Sequence, residues 1–269
     1  GKIIKEDYFK QQFKKAELTP SFQNTFKRLH LNIWTGSESL WISDDDYMMA
    51  NISPIAPAKL KGRDCFAGLD LASTRDISAL VLIFPDEDEN FDILPFFFVP
   101  EDKVKAQGVG DGVDYLTWVN QEYIISTPGN VQDYNYIEAK FKQLAEDYNI
   151  ISCAFDRWNS SQIVVNLIND GAKMNPIGMG FVSLSAPTKL LEKLILNKQI
   201  NHGGNPVLRW MFNNVHITED PAGNIKPNKA KSTNKIDGVV ALVCALAEYL
   251  NNIEDGNQSI YEGRGLIFI

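Results

Sequence analysis

Short apolar runs separated by charged turns dominate the part of the chain that follows residue 60. Residues 65–71, 77–84 and 91–99 are each rich in aliphatic or aromatic side chains, and few polar residues separate one run from the next. Runs of this length bounded by turn residues are typical of strands, and short connections favour antiparallel neighbours. The pattern therefore predicts a three-stranded antiparallel meander.

From residue 134 the spacing of apolar positions changes to that of alternating helices and strands. Ile137, Phe141, Leu144 and Tyr148 recur at the spacing of one helix face. We predict helices over residues 134–148, 160–170, 187–198, 206–214 and 236–250, and strands over residues 150–155, 177–184 and 215–218. This order predicts an α/β fold, a mixed sheet of an antiparallel meander plus parallel strands flanked by helices. An RNase H-like core has this layout, and an unspecialised α/β domain is the alternative.

Residues 1–56 differ in composition from the remainder of the chain. They combine many lysines with four phenylalanines between residues 9 and 26, and two prolines lie close to the end of the segment. We predict an arm or linker that packs through its Phe and Trp side chains on the main body or on a neighbouring domain. The predicted division is an N-terminal arm over 1–56, a main domain over 57–252 and a C-terminal tail over 253–269.

The composition narrows the class of protein. Of the 269 residues, 44% are hydrophobic and 22% are charged, as in ordinary globular domains. No apolar run reaches the ~18 residues that a membrane-spanning helix needs, so no membrane partner is predicted. Cys65, Cys153 and Cys244 lie far apart without a CxxC pair, which predicts small buried thiols and argues against a structural zinc site. The isolated His202 and His216 predict structural or surface roles.

The net charge of −8 counts against a nucleic-acid-binding protein, but the charge is unevenly distributed. Within residues 226–235, Lys226, Lys229, Lys231 and Lys235 occur without any acidic residue. Contact with phosphates depends on a local basic patch, whereas the net charge governs long-range attraction. The segment is therefore a candidate for contacts along a DNA backbone, and a solvated surface loop is the alternative.

Three aspartates lie where strands end or a helix begins. Asp70 comes near the end of the first apolar run, Asp156 ends the run at 150–155, and Asp237 opens the last helix. Each has a structural alternative, because Asp70 could cap the turn after it, Asp156 could cap the next helix, and acidic residues are favourable in a helix's first turn. In an RNase H-like sheet the two strands are neighbours and the last helix crosses beside them, so the three carboxylates are expected to converge.

The chemistry of carboxylates gives this triad a candidate role. Hard oxygen ligands from different elements suit two divalent cations, Mg²⁺ or Mn²⁺, about 3.5–4 Å apart. Asp70, Asp156 and Asp237 are therefore the candidate catalytic and metal-binding residues. Asp76 is a further candidate as an outer ligand, or else an ion-pair partner of Arg75 or Lys235.

Three segments of the chain resemble the nuclease domain of the large terminase subunit of tailed bacteriophages, an RNase H-like family. Residues 68–76 (GLDLASTRD), 154–159 (AFDRWN) and 235–243 (KIDGVVALV) are similar to the family's metal-binding segments. Residues 28–34 resemble its connection from an ATPase domain, and residues 259–265 resemble its C-terminal end. The resemblance implies a metal-dependent endonuclease that cuts concatemeric viral DNA during genome packaging, in the cytoplasm of the infected bacterial host.

The resemblance also implies partners. These are double-stranded DNA and, for the full-length protein, an N-terminal ATPase domain, a small terminase subunit and the portal. The sequence has no GxxxxGK[ST] phosphate loop, so we expect the ATPase half to be absent from this chain.

The resulting hypothesis is two-metal phosphodiester hydrolysis. Asp70 would bridge both ions, and Asp156 and Asp237 would each complete one coordination shell. The polar side chains before Asp237 are expected to contact DNA, with Lys235 on a phosphate, Asn234 positioning a water or a phosphate oxygen, and Lys226, Lys229 and Lys231 along the backbone. Phosphate contacts carry no sequence information, so we expect cutting with weak sequence specificity.

Two other functions remain open at this stage. A non-catalytic docking module would keep the RNase H-like fold without metal-dependent cleavage. Residues 68–74 also resemble the first phosphate loop of sugar kinases and actin-like ATPases, which would suggest a phosphotransferase. Such enzymes need a second glycine-rich phosphate loop, and the sequence contains no DxGG-like segment.

Overall fold

A mixed sheet of seven strands forms the centre of the fold. The computed structural model describes residues 6–31, 41–50, 53–72, 74–106, 111–157 and 162–262. In that part of the chain the sheet consists of β1 (Asp64–Asp70), β2 (Ser78–Pro85), β3 (Phe91–Pro100), β4 (Ile125–Thr127), β5 (Asn149–Asp156), β6 (Met174–Ile177) and β7 (Ile200–Asn201). The strand order is β4-β3-β2-β1-β5-β6, and β7 pairs with β3.

The strand directions confirm the predicted sheet. β1, β2 and β3 are antiparallel neighbours, β5 runs parallel to β1, and β6 runs parallel to β5. Because β1 and β5 are parallel neighbours, their carboxyl ends lie at the same edge of the sheet. A separate antiparallel hairpin of β8 (Ile217–Glu219) and β9 (Ile225–Pro227) follows later in the chain.

Helices cover both faces of this sheet. In the described part of the chain the helices are α1 (Glu6–Leu18), α2 (Pro20–Leu31), α3 (Asp44–Met49), α4 (Pro57–Leu60), α5 (Glu101–Lys105), α6 (Tyr115–Asn120), α7 (Tyr134–Asp147), α8 (Gln162–Asn169), α9 (Phe181–Leu196), α10 (Pro206–Asn214) and α11 (Asp237–Glu262). Helices α9, α10 and α11 lie on one face of the sheet, and α7 and α8 lie on the other. Within the residues that the structure describes, none of these helices combines the length and the apolar character needed to cross a membrane.

Alternate residues of β1 face two different cores. Phe66 packs in the core that contains residues of α9, α10 and α11, whereas Cys65, Ala67 and Leu69 pack in the core with α7 and α8. Since both faces are covered, the central strands are apolar on both sides. All three cysteines are free and buried, as the sequence predicts.

The first two helices pack against each other. Phe9 and Phe13 of α1 contact Phe26 of α2, with ring centroids 5.4 and 5.9 Å apart. The contacts between these phenylalanine rings therefore lie within the arm, because each amphipathic helix buries its apolar stripe against the other.

Residues 41–50 pack on the main body. The sequence predicts such a contact, in which aromatic side chains of residues 1–56 pack on the main body. The Trp41 ring stacks on Phe212 of α10, and Tyr47 of α3 stacks on His202. Tyr47 also belongs to the core beneath α9 and α11. This part of the arm is thus joined to the main domain by aromatic packing, whereas the predicted contribution of Trp34 lies outside the described residues.

One predicted strand, over residues 177–184, is wrong. β6 ends at Ile177, and α9 already begins at Phe181 and continues through Pro187. Proline is disfavoured inside a helix, which led the sequence pattern to start the helix at Pro187. In the structure Pro187, Leu184 and Leu191 of α9 are all buried, so tertiary packing outweighs this local preference.

Candidate active site

Asp70 and Asp156 lie at the ends of two adjacent parallel strands. The register pairs Leu69 with Phe155, which places the two following aspartates side by side at the carboxyl edge of β1 and β5. Asp70 is only 2% exposed, and Asp156 is half-buried. Strand ends of this kind are where α/β sheets build their sites.

Asp237 reaches the same edge because α11 packs very closely on β1. A Cβ atom added to Gly68 of β1 would lie 1.9 Å from the carbonyl oxygen of Ala241, so only glycine permits this approach. At Gly238 an added Cβ would lie 2.6 Å from the Phe97 ring. These two close contacts fix the start of α11, where Asp237 is buried with 8% exposure.

A lysine ammonium joins two of the three carboxylates. Lys229, two residues after β9, places its Nζ 2.6 Å from Oδ2 of Asp70 and 2.8 Å from Oδ1 of Asp237. Two segments that are distant in sequence, one at residue 70 and one at residues 229–237, therefore meet at one point. The sequence predicts Lys229 as a DNA contact, and its position between the aspartates is a feature that the sequence reasoning missed.

Burial and neighbouring charges shift the pKa values of Asp70 and Lys229. Burial raises the pKa of Asp70, and the nearby carboxylates of Asp237 and Asp156 raise it further, against the opposing effect of Lys229. Burial lowers the pKa of Lys229, but the attraction of Asp70 and Asp237 outweighs it, so the net shift is upward. The raised pKa of Asp70 reflects the cost of holding several carboxylates together at a buried position, and a cation at this edge lowers that cost.

The residues at this edge fit a divalent cation only if Lys229 moves. Oδ2 of Asp237 is buried and has no hydrogen-bond partner among the described residues. Carboxylate oxygens are the ligands that Mg²⁺ and Mn²⁺ prefer, so an unpartnered buried oxygen beside Asp70 suits such an ion. Nevertheless, no three His, Cys, Asp or Glu side chains in the described part are already arranged around one metal position. The Lys229 ammonium holds the carboxylates in their present arrangement.

Asp76 forms a second charged cluster beside the first. It forms ion pairs with Lys235, one of the partners predicted for it, and with Lys103 at 3.1 Å. Lys103 also contacts Asp111 at 2.8 Å. Although burial opposes it, the hydrogen bond and charge of Lys235 together with Lys103 lower the pKa of Asp76. The structure therefore favours an ion-pairing role for Asp76.

The two clusters border adjoining clefts. One cleft of about 370 Å³ is lined by residues of both clusters, among them Asp76, Asp111, Lys229, Asn234, Lys235 and Asp237. A second cleft of about 450 Å³ shares Asp76 and adds Arg75, Lys103 and Asn130. The sequence does not predict Arg75 or Lys103 as site residues. Lys103 lies on α5, which is too short to show a pattern, and Arg75 lies in the connection between β1 and β2.

The remaining predicted DNA contacts occupy different positions. Asn234 donates from Nδ2 to the carbonyl oxygen of Asp111 at 2.6 Å, which fixes the wall of the first cleft. Lys226 donates to the carbonyl oxygen of Met179 at 2.7 Å, so its ammonium contacts the start of α9. Lys231 is exposed on the loop after β9. Residues 73, 158 and 159, which belong to the segments with family resemblance, lie outside the described residues.

Comparison with known families now identifies the chain. The family model described as "Terminase large subunit, endonuclease domain" matches residues 3–252. The chain belongs to this family. The membership confirms the resemblance that the three aspartate segments carry.

Relatives of this terminase chain are similar over most of its length. It is 33% identical over 248 residues to the large terminase subunit of Enterobacteria phage HK97, covering 91% of this chain and 48% of that protein. It is 25% identical over 256 residues to Protein YmfN of Escherichia coli strain K12, covering 91% of this chain and 56% of that protein. The chain thus spans about half the length of these relatives.

Solved structures give the same fold. The crystal structure of the HK97 bacteriophage large terminase matches with a TM-score of 0.71 at 33% identity, over 92% of this chain and 51% of that one. The large terminase nuclease from thermophilic phage G20c matches with a TM-score of 0.50 at 15% identity, over 76% and 96% of the two chains. The RNase H-like fold predicted from the element order is confirmed.

Proposed function

We propose that this chain is a metal-dependent DNA endonuclease that cuts concatemeric viral DNA during genome packaging. The observation that carries the proposal is the buried Asp70–Lys229–Asp237 contact beside Asp156, in a chain of the terminase endonuclease family. Buried carboxylates held around one cation are costly to fold and contribute little to stability, so a chemical role explains them better than a structural one.

Asp70, Asp156 and Asp237 are the residues that would hold two divalent cations, Mg²⁺ or Mn²⁺. When bound, such ions supply an activated water and charge stabilisation for the leaving oxygen of a phosphodiester. The chain's own contribution is to fix the carboxylates, because two come from adjacent strand ends and the third from a helix start locked onto β1.

The lysines at the clefts would orient the DNA. Lys235 lies two residues before Asp237 and pairs with Asp76, which supports the proposal that it would contact a phosphate next to the carboxylates. Asn234 would position a water or phosphate oxygen, while Lys226, Lys229 and Lys231 would contact the backbone. Phosphate contacts do not report sequence, so the cut would have weak sequence specificity. Asp76 would act by orienting Lys235.

Partners and domain division are part of the same proposal. The proposed division is an arm from an ATPase domain over residues 1–56, the nuclease domain over residues 57–252 and a tail over residues 253–269, whose first part continues α11 to Glu262. In a longer protein the partners would be double-stranded DNA, that ATPase, a small terminase subunit and the portal. The site of action would be the cytoplasm of the infected bacterial host.

The alternatives explain less of the structure. A docking module has no need for buried carboxylates at one edge, since their burial costs free energy without adding a surface. A phosphotransferase would need a second glycine-rich phosphate loop, and the sequence contains no DxGG-like segment that could form one. A nucleotide titration that shows tight ATP binding would favour the phosphotransferase.

A plasmid-nicking assay with added Mg²⁺ or Mn²⁺ tests the proposal. We expect wild-type protein to nick DNA only with the metal, and Asp70→Asn, Asp156→Asn and Asp237→Asn to lose at least about a hundredfold in rate. Asp88→Asn is the matched control, because Asp88 is exposed on the turn between β2 and β3. That turn follows the end of β2, whereas Asp70 pairs with Ala79 at the start of β2, so Asp88 lies far from the candidate site. Wild-type rates in Asp70→Asn, with folding verified by circular dichroism, would contradict the proposal.

A further inference from the structure

We propose that Lys229 is a built-in counter-cation of the metal-free site, and that it must withdraw when divalent cations bind. This inference rests on the proposed metal-dependent function. It assigns Lys229 a role distinct from a simple DNA contact. The role follows from the position of its ammonium between two buried carboxylates.

The first step of the argument is charge balance. Asp70 and Asp237 are buried, and Asp156 ends the strand next to Asp70, because Leu69 and Phe155 are partners in the register of β1 and β5. Without a cation, this edge would hold carboxylates that repel one another in a region of low dielectric constant. Lys229 supplies one positive charge at hydrogen-bond distance from two of them. It therefore stabilises the empty site.

The second step is that Lys229 and a metal ion compete for the same oxygens. Its Nζ touches Oδ2 of Asp70 and Oδ1 of Asp237, oxygens that a bound cation would use. One ammonium leaves Oδ2 of Asp237 without a hydrogen-bond partner in the described part of the chain. Two divalent ions would satisfy the carboxylates more fully, so they would displace the lysine rather than share the site with it.

The third step is that Lys229 can leave without unfolding its loop. Its side chain is 50% exposed although its ammonium end points inward. The backbone before it is anchored, because Asn228 donates to Thr218 Oγ1 at 2.8 Å and accepts from the backbone N–H of Ala230 at 3.0 Å. Rotation of the side chain alone would free the site. The released ammonium would then be available to a DNA phosphate.

Metal binding measured by calorimetry tests the competition. Mn²⁺ is titrated into the 269-residue wild-type chain, into Lys229→Met and into Lys231→Met. Lys231→Met is the matched control, since it removes the same charge two residues later on the same loop. If the lysine-released state is populated at about a tenth or less, Lys229→Met should bind Mn²⁺ about tenfold more tightly or better. Lys231→Met should change the affinity much less.

Thermal stability and chemical labelling test the same displacement without measuring DNA cleavage. Metal-free Lys229→Met should melt about 3 °C or more below wild type, and Mn²⁺ should raise its melting temperature more than that of wild type. In wild-type protein an amine-reactive reagent should modify Lys229 faster with Mn²⁺ than without, as followed by mass spectrometry. This last experiment remains informative even if the variant fails to fold.

The outcomes separate the two proposals. If wild type binds Mn²⁺ but Lys229→Met binds it no more tightly, or if Mn²⁺ leaves Lys229 labelling unchanged, the displacement is wrong and the metal centre stands. If neither protein binds Mn²⁺, the proposed metal site is wrong, and the proposed competition between Lys229 and the metal is wrong as well. Tighter binding by Lys229→Met together with faster labelling of wild type supports the displacement.

Discussion

At the scale of single residues, His202 shows how contacts set the state of a buried titratable group. It is 1% exposed, its Nε2 lies 2.7 Å from the carbonyl oxygen of Tyr47, and its Nδ1 accepts from the backbone N–H of Gly204. Both contacts are satisfied by a neutral ring that carries its proton on Nε2. Burial lowers the pKa of His202, and the charge of Arg209 acts in the same direction. The predicted structural role is confirmed.

Stability should therefore fall as the pH drops below 6.5, the ordinary pKa of histidine. The unfolded chain binds a proton there while the folded ring resists it, so acid favours unfolding. Between about pH 7.5 and about pH 5.5 we expect a larger fall in melting temperature for wild type than for His202→Gln, whose neutral amide keeps a donor. Circular dichroism melts at both pH values measure this, and equal falls would refute the assignment.

The sequence predicts the three aspartates, but it does not predict that the Lys229 ammonium lies between two of them. A carboxylate at the end of an apolar run is costly to bury, so Asp70 and Asp156 are visible as candidates, and Asp237 is visible as the acidic residue that opens the last helix. The family resemblance joins the three as one site. Their placement at one edge agrees with that expectation, while their catalytic role stays a prediction. The contact of Lys229 with two of them depends on how a hairpin lies across the sheet edge. No local pattern encodes that, so the sequence predicts only a basic loop.

At the scale of elements, the crossing of α11 over β1 determines where Asp237 lies. The sequence predicts both elements, because each is a long apolar run with clear ends. It does not predict how closely they approach, which is decided by Gly68 beneath Ala241. The same limit explains the wrong strand at 177–184, where packing of α9 outweighs the local preference of Pro187.

Gly68→Ala should therefore disturb the whole molecule. Its Cβ would lie 1.9 Å from a backbone oxygen, so α11 or β1 must shift, and we expect a loss of about 3 kcal/mol in the free energy of unfolding. Gly180→Ala is the control, because a Cβ there meets no heavy atom within 4 Å and the loss should stay below about 1 kcal/mol. Urea unfolding measures both variants. Similar losses would show that the close approach is not what holds α11.

At the scale of the whole molecule, a chain with a net charge of −8 would have to bind DNA through locally concentrated positive charge. The cleft lysines Lys103, Lys229 and Lys235 are each paired with carboxylates in the described structure. A DNA phosphate must compete with those carboxylates for the ammonium groups. We therefore expect weak DNA binding without divalent cations and a strong dependence on salt.

Salt dependence can show which lysine contacts a phosphate. In EDTA, where no cleavage is expected, the affinity for a short duplex is measured by fluorescence anisotropy over a range of salt concentrations. If Lys235 contacts a phosphate, Lys235→Ala should lower the slope of log affinity against log salt by about one. Lys142→Ala is the control, because Lys142 lies on α7 and pairs with Glu138 and Asp170 instead of lining either cleft. If the slope is unchanged in Lys235→Ala, Lys235 does not contact a DNA phosphate. Asp76, which pairs with Lys235, would then also lack its proposed role of orienting that lysine.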